Sequence, residues 1–350
     1  MNQVIQVLIV DDSAYVRNVI ERILISSPFI EVIGKARHGQ EALDMLEKLS
    51  PDVVLLDLIM PEMDGVTFIK EQMKRKPIKI IVVSIVSTGG QLAIEALSSG
   101  AIDFIQKPTA LATERITEIR EDLIQKIKSS SMAELKNIHK IYNDTRQQKK
   151  ETIPLEIQSK GNFDVIVIGI STGGPQALRF LIPQFPTNFP IPIVIVLHMP
   201  EGYTEMYADS LNELSAIQVK EAKEGDQLLP GTVTIASAGF HLTFDKDAYQ
   251  RVVFHLDRQP FDKLHRPSAD ILFKSAAEMF KERVLGIIMT GMGSDGKEGV
   301  AWIKSNGGFV MTESKETCVI YGMPRVVDEI GLSDKSVPLD QMAGAIKALV

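Results

Sequence analysis

The chain has 350 residues, 45% of them hydrophobic, enough for two domains with real cores. Its one cysteine, Cys318, rules out an internal disulfide framework and fits a reducing compartment. The net charge of −7 divides as −5 over residues 1–125, +4 over 126–161 and −6 over 162–350. Neither acidic part offers the basic face of a nucleic-acid reader, so no nucleic-acid partner is expected.

The opening MNQVIQVLIVDD runs straight into a strand, without a basic segment followed by a cleavage site. No apolar stretch approaches the roughly 20 residues of a membrane span. A cytoplasmic location without membrane insertion is therefore expected. Residues 4–126 then alternate between short apolar runs and stretches of helical spacing. Strands are predicted at about 5–10, 30–35, 53–57, 78–84 and 102–106, and helices near 14–26, 39–48, 64–74, 90–98 and 112–127. Wholly apolar runs of this length read as parallel strands buried on both faces.

Four of these runs stop at residues with chemistry to offer: Asp11 and Asp12, then Asp57, then Ser84, then Lys107. In an open α/β sheet, chemistry gathers outside the carboxyl ends of the strands, so these side chains converge without being sequence neighbours. An aspartate is a poor phosphoryl acceptor in water, because its charge repels the incoming oxygens. A divalent cation held by neighbouring carboxylates removes that repulsion, and Mg²⁺ suits a site of few carboxylates plus phosphate oxygens. On this reading Asp11, Asp12 and Asp57 form the metal pocket, Asp57 is the acceptor, Lys107 supplies a point charge and Ser84 a hydroxyl. Helix capping by Asp11-Asp12 and a plain loop at Lys107-Pro108 would explain those residues singly. They do not explain five such residues at the ends of four strands.

Between 128 and 161 the pattern dissolves into Ser, Gln, Asn and Lys, with a helix conceivable over 132–142. The expected organisation is a first domain at 1–127, a linker at 128–161 and a second domain at 162–350. In the second domain strands are predicted near 164–170, 191–198, 216–221, 232–237, 284–290 and 308–312. A hairpin over 241–245 and 251–256 turns at Asp247-Ala248-Tyr249.

The first of these strands leads into Gly169-Ile170-Ser171-Thr172-Gly173-Gly174-Pro175. A glycine-flanked serine between a strand and a helix serves a nucleophile with an oxyanion site, an anion-binding loop or a structural turn. The phosphate reading lacks a lysine after the glycines. A nucleophilic serine needs a base, usually histidine, and the histidine needs an orienting acceptor. Of the domain's four histidines, His198 ends a strand on the same sheet edge as Ser171, while His241, His255 and His265 read as surface or internally satisfied groups. No zinc spacing joins them. Asp295 lies beyond another strand in the glycine-rich Gly291-Met292-Gly293-Ser294-Asp295-Gly296, either as the orienting carboxylate or as a turn or helix cap.

Residues 4–126 resemble a response-regulator receiver domain, through VDDSAYVR, LLDLIMPEMDG, VVS and DFIQKP in order and spacing. That resemblance implies a flavodoxin-like strand order 2-1-3-4-5, Mg²⁺-dependent phosphorylation of Asp57 by a chemotaxis histidine kinase, and an aromatic switch at Phe104 that turns inward on phosphorylation. Residues 163–350 resemble the catalytic domain of chemotaxis protein-glutamate methylesterases, through GISTGG, LHMPEGYT, EGDQLLPG, HRPSADILF, TGMGSDG and CVIYGMPR. The implied fold is α/β throughout: a flavodoxin-like receiver, then a larger doubly wound, mainly parallel esterase domain. Ser171 is implied as nucleophile, His198 as general base and acid, and Asp295 as its orienter, with Thr172, Gly173 and Met292 flanking them. The implied substrates are glutamate γ-methyl esters on methyl-accepting chemotaxis receptors, hydrolysed to methanol without a cofactor, with glutamine deamidation as a companion activity.

Three departures stand out: Ile170 where alanine is common, Leu197 where glutamine is common before the histidine, and ASAGFHL in place of APGxxHL. The fusion suggests that the unphosphorylated receiver covers the esterase cleft and that phosphorylation opens it. A rival of another class, a second domain that only binds receptors or nucleotide, would keep the Ser171 loop without needing His198 or Asp295.

Overall fold

The computed structural model describes residues 4–84, 86–107, 115–134, 162–260 and 265–350. Pro108, the expected start of the fifth helix and the tether beyond residue 134 lie outside the described residues. The chain divides into two compact units, Met1–Tyr142 and Asn143–Val350.

In the first unit, strands β1 (Ile5–Val10), β2 (Ile30–Ala36), β3 (Val53–Leu56), β4 (Ile80–Ser84) and β5 (Asp103–Gln106) form one parallel sheet in the order β2-β1-β3-β4-β5. Val7–Val10, Val53–Leu56 and Ile80–Val83 are buried throughout, because helices cover both faces. Those helices are α1 (Ala14–Ile25), α2 (Gly39–Leu46), α3 (Gly65–Arg75), α4 (Val86–Ser98) and α5 (Arg115–Met132). Local chemistry sets their starts. The Ser13 hydroxyl accepts the Val16 N–H ahead of α1, and Asp64 accepts the Thr67 N–H at 2.8 Å ahead of α3. The fifth helix continues past the expected residue 127 to Met132. Its serine-rich end reads as loop on propensity, but Ser129 and Ser130 are buried. The Ser129 and Ser131 hydroxyls donate to the Lys126 and Lys128 carbonyls at 3.0 and 2.7 Å, and Lys79 donates to the Ser131 carbonyl.

The second unit has a seven-stranded, wholly parallel sheet built from β6 (Val165–Ile170), β7 (Ile193–Leu197), β8 (Gln218–Glu221), β9 (Thr232–Ile235), β12 (Val284–Ile288), β13 (Phe309–Glu313) and β14 (Lys335–Val337). Their order is β14-β13-β12-β6-β7-β9-β8. Strands β10 (His241–Lys246) and β11 (Val252–Asp257) form a separate antiparallel hairpin. The three-residue β14 is missing from the sequence reading because two of its residues are exposed and no apolar run marks it. Helices α6 (Gly174–Leu181), α7 (Thr204–Leu214), α8 (Ala269–Phe280), α9 (Lys297–Ser305), α10 (Met323–Glu329) and α11 (Leu339–Leu349) complete the layers. Leu272, Phe273 and Ala276 of α8 and Ile303 of α9 pack with Val167, Val284 and Ile288 in one core, which the hairpin's Leu242, Phe244 and Phe254 extend.

From β6 the chain winds outward first through β7 and later, on the other side, through β12. The order therefore reverses at β6, the topological switch point where open α/β sheets place ligands. No helix among the described residues is long and apolar enough to cross a membrane.

Candidate active site

In the first unit, Asp11 and Asp57 follow the adjacent strands β1 and β3, so their carboxyl groups meet at the sheet's carboxyl edge. Ligand oxygens of Asp11, Asp12 and Asp57 lie within 4.8 Å of one another. Asp11, Asp57, Ser84 and Lys107 are all buried, whereas Asp12 is exposed. The Lys107 ammonium bridges Asp11 at 2.8 Å and Asp57 at 2.7 Å. The Lys107 N–H donates to the Ser84 carbonyl at 2.8 Å, which ties the two strand ends together.

Burial is the largest influence on Asp57 and lifts its pKa; Lys107 pulls the other way without cancelling it, and the charge of Asp11 adds to the rise. Burial lowers Lys107, but its bonds to Asp11 and Asp57 outweigh that and raise it. A pocket of three carboxylates around one ammonium has the oxygen donors a small hard cation takes. Phe104 on β5 is buried, turned into the domain, and its carbonyl accepts from Lys126 at 2.8 Å.

In the second unit, Ser171, His198 and Asp295 follow β6, β7 and β12, three neighbouring strands that deliver them to one edge. Ile170 pairs with Leu197 across β6 and β7, and the ladder continues as the His198 N–H donates to the Ile170 carbonyl at 3.2 Å. Ser171 and His198 thus leave the sheet side by side. On the other flank the Ser171 N–H donates to the Thr290 carbonyl at 3.0 Å. Gly291 follows Thr290, and a Cβ there would lie 2.7 Å from the Ser171 Cβ and 2.5 Å from the Met323 sulfur. The bare backbone is what lets the loop press against the serine.

The turn after Ser171 closes with the Gly174 N–H on the Ser171 carbonyl at 2.7 Å. Gly173 adopts φ +80° at the start of α6, and a Cβ there would meet Val319 at 2.6 Å, so both conformation and space require glycine. Thr172 is buried, its carbonyl accepting from the Thr290 hydroxyl at 3.1 Å, and Met292 is half-buried beside Gly322. The departures Ile170 and Leu197 are fully buried and pack against Gly174, lining the apolar floor beneath the turn.

His198 Nε2 lies 2.8 Å from Asp295 Oδ2. Asp295 holds that nitrogen in company. Its Oδ2 also accepts the Ala269 N–H at 2.6 Å, and its Oδ1 accepts the Ser268 hydroxyl at 2.7 Å and the Asp270 N–H at 3.1 Å. The carboxylate therefore caps α8 from outside, where the helix dipole favours negative charge. Burial raises the Asp295 pKa, but donors from His198, Ala269 and Ser268 outweigh it and hold the carboxyl well below its usual range. An ionised acceptor on Nε2 fixes the imidazole with its proton there. Nδ1, buried and without a hydrogen-bond partner among the described residues, is left with a free lone pair.

The remaining histidines part company. His241 is buried with Nε2 3.1 Å from the Pro260 carbonyl, and His255 lies on the surface against Glu224 at 3.1 Å. His265, read from sequence as a loop residue of no special role, stacks on His198 with ring centroids 4.1 Å apart and planes 23° from parallel. Ser268 is the other contributor the sequence reading passes over; both lie in HRPSADILF, whose spacing gives no sign of which strand end it faces.

A family model for CheB methylesterase matches residues 166–346, and one for the response regulator receiver domain matches residues 7–119. The chain is 40% identical to "Protein-glutamate methylesterase/protein-glutamine glutaminase 5" of Myxococcus xanthus, over 98% of this chain and 97% of that protein. It is also 40% identical to a protein-glutamate methylesterase/protein-glutamine glutaminase of Halalkalibacterium halodurans, over 99% and 98%. Among solved structures, the CheB methylesterase catalytic domain of Thermotoga maritima is 42% identical, covers 54% of this chain and 99% of its own, and superposes with a TM-score of 0.52. A parallel sheet that gathers Ser171, His198 and Asp295 beside its switch point, and relatives matched along their whole length, place this chain in the CheB methylesterase family, with a response regulator receiver domain at its front.

Proposed function

We propose that the chain demethylates glutamate γ-methyl esters of methyl-accepting chemotaxis receptors, and deamidates their glutamines, under control of phosphorylation at Asp57. The observation that carries the esterase reading is the 2.8 Å contact between His198 Nε2 and Asp295, with Nδ1 buried and, among the described residues, unbonded. Nδ1 takes the proton of Ser171 as its oxygen attacks the ester carbonyl. The imidazolium so formed is stabilised by Asp295, whose depressed pKa keeps it ionised throughout. Backbone N–H groups at Thr172 and Gly173 would meet the oxyanion, one good donor being worth about 3–4 kcal/mol. Methanol departs with the proton from Nδ1, and water activated by the same nitrogen then frees the acyl-enzyme.

At the receiver, Asp11, Asp12 and Asp57 would hold Mg²⁺, whose chemistry there is to neutralise charge on the phosphoryl oxygens. Lys107 sits ready to pair with the phosphoryl group and Ser84 to hydrogen-bond it, while a chemotaxis histidine kinase is the donor. A cytoplasmic setting fits a substrate presented on the inner ends of receptor bundles. Methanol release from methylated receptor membranes, with and without a small-molecule phosphodonor, tests the proposal. Release that rises with phosphodonor supports it, and a chain that binds the membranes without releasing methanol would reduce the second domain to a binding module.

A further inference from the structure

Beneath the Ser171 turn lies a carboxyl group that the reaction as described does not use. Glu313, the last residue of β13, is fully buried. The ladder between β12 and β13 ends at Ile288 and Thr312, and Glu313 lies just beyond it. Glu313 keeps its pairing to Val337 of β14, and the Ser314 N–H donates to the Val337 carbonyl at 2.9 Å. Beyond the ladder's end the Thr290 N–H finds a side chain instead of a backbone carbonyl: Glu313 Oε2, at 2.9 Å. The other oxygen, Oε1, accepts from the Thr317 hydroxyl at 3.0 Å.

Thr290 passes this anchorage on. Its carbonyl accepts the Ser171 N–H at 3.0 Å, its hydroxyl donates to the Thr172 carbonyl at 3.1 Å, and the same hydroxyl accepts the Ile320 N–H at 2.9 Å. Where the β12–β13 ladder ends, the absence of an acceptor would strand a buried N–H beside the serine.

We propose that Glu313 is a positioning residue of the esterase: its carboxyl stands in for the missing ladder acceptor at the Thr290 N–H and so fixes the backbone that carries Ser171. This rests on the reading of Ser171 as the nucleophile. The carboxyl works as an acceptor rather than as a charge. The groups facing it are the Thr290 amide from beyond β12, the Thr317 hydroxyl and the neighbouring Cys318 thiol from the loop after β13, and backbone from β14. Among the described residues no cation is paired with it. Burial lifts its pKa to about 7 against the pull of Thr290 and Thr317, so both protonation states occur near neutrality. Protonation at Oε1 leaves the Thr290 bond intact, because the Thr317 hydroxyl can rotate to accept. Glutamine would do the same, offering its carbonyl to Thr290 and its amide N–H to Thr317.

The test uses the full chain, methylated receptor membranes and methanol release, with fluorophosphonate labelling of Ser171 measured in parallel. Glu313→Gln should keep kcat within about twofold of the parent, while Glu313→Leu lowers kcat about tenfold or more with KM within about threefold and slows labelling to match. A Leu variant with parental kcat, or a Gln variant as impaired as the Leu variant, overturns the proposal. Should Glu313→Leu fail to fold, hydrogen exchange at the Thr290 amide decides. Slow exchange in both the parent and Glu313→Gln supports the proposal, and rapid exchange in an active Glu313→Gln overturns it. Ser171→Ala run alongside separates the two ideas: its continued turnover would remove the nucleophile assignment itself, whereas an inactive Ser171→Ala beside an unaffected Glu313→Leu removes only the role of Glu313.

Discussion

His198 and Asp295 meet through Nε2 and Oδ2 at 2.8 Å, and the same oxygen accepts the first amide of α8, Ala269, at 2.6 Å. One carboxylate thus orients the imidazole and caps a helix. In the chymotrypsin-type arrangement Nδ1 faces the carboxylate and Nε2 the serine. Here it is Nε2 that faces the carboxylate, so under the proposed mechanism Nδ1 is the nitrogen left to serve Ser171.

Asp295→Asn should therefore damage two things at once. An amide nitrogen turned toward His198 would favour the wrong tautomer, and kcat should fall by about 10³–10⁴. Stability should respond as well. A carboxyl whose folded pKa is depressed contributes stability that is present above its unfolded value and lost as pH falls through the folded one. The parent should be more stable than Asp295→Asn at neutral pH, and the gap should narrow on acidification below about pH 4. Denaturant titration of both proteins across that range measures it.

Ser268→Ala removes a single donor to Asp295 and leaves the Ala269 and Asp270 amides in place. A hydrogen bond to a charged group contributes about 1.5–3 kcal/mol, so a loss of stability in that range is expected. The fall in kcat should stay well short of that in Asp295→Asn, since the carboxylate remains. Thermal melts and steady-state methanol release would check both.

Gly291→Ala tests the close approach at Ser171. The added methyl would sit 2.7 Å from the Ser171 Cβ and 2.5 Å from the Met323 sulfur. Displacing the serine by about 1 Å should cost roughly 10²-fold in kcat. The receiver pocket lies in the other unit, so phosphorylation by a small-molecule donor should proceed at the parental rate, which radiolabel incorporation would measure.

Asp57→Asn removes the proposed phosphoryl acceptor and one carboxylate of the cluster. The variant should keep basal methanol release and lose all stimulation by phosphodonor. Lys107 would keep its partner Asp11 at 2.8 Å, so the receiver should still fold, as its melting curve would show.

Much of this was legible in the chain. The apolar runs ending on Asp11, Asp57, Ser84, Ser171 and His198 announced both sheets, since a strand buried on both faces is mostly apolar until it ends. Asp295 was read as either an orienter or a helix cap, and it is placed to be both. What escaped depended on distance in sequence. His265 and Ser268 face the site only because α8 packs over β6 and β12, and no periodicity encodes that. Glu313, just past the strand expected near 308–312, went unremarked, because nothing local shows that its carboxyl meets the Thr290 amide. The prolongation of α5 to Met132 likewise rests on serine hydroxyls bonding back to the helix and on burial, which override propensity.

The account turns on the hydroxyl of Ser171 being the group that attacks. The direct measurement is acyl-enzyme trapping: mix the full chain with receptor membranes carrying labelled glutamate methyl esters, quench in acid, and map any covalent adduct while following methanol. The expected result is an adduct on Ser171 with methanol released in step, and neither from Ser171→Ala. Methanol released by Ser171→Ala at the parental rate, or an adduct on a different side chain, would contradict it.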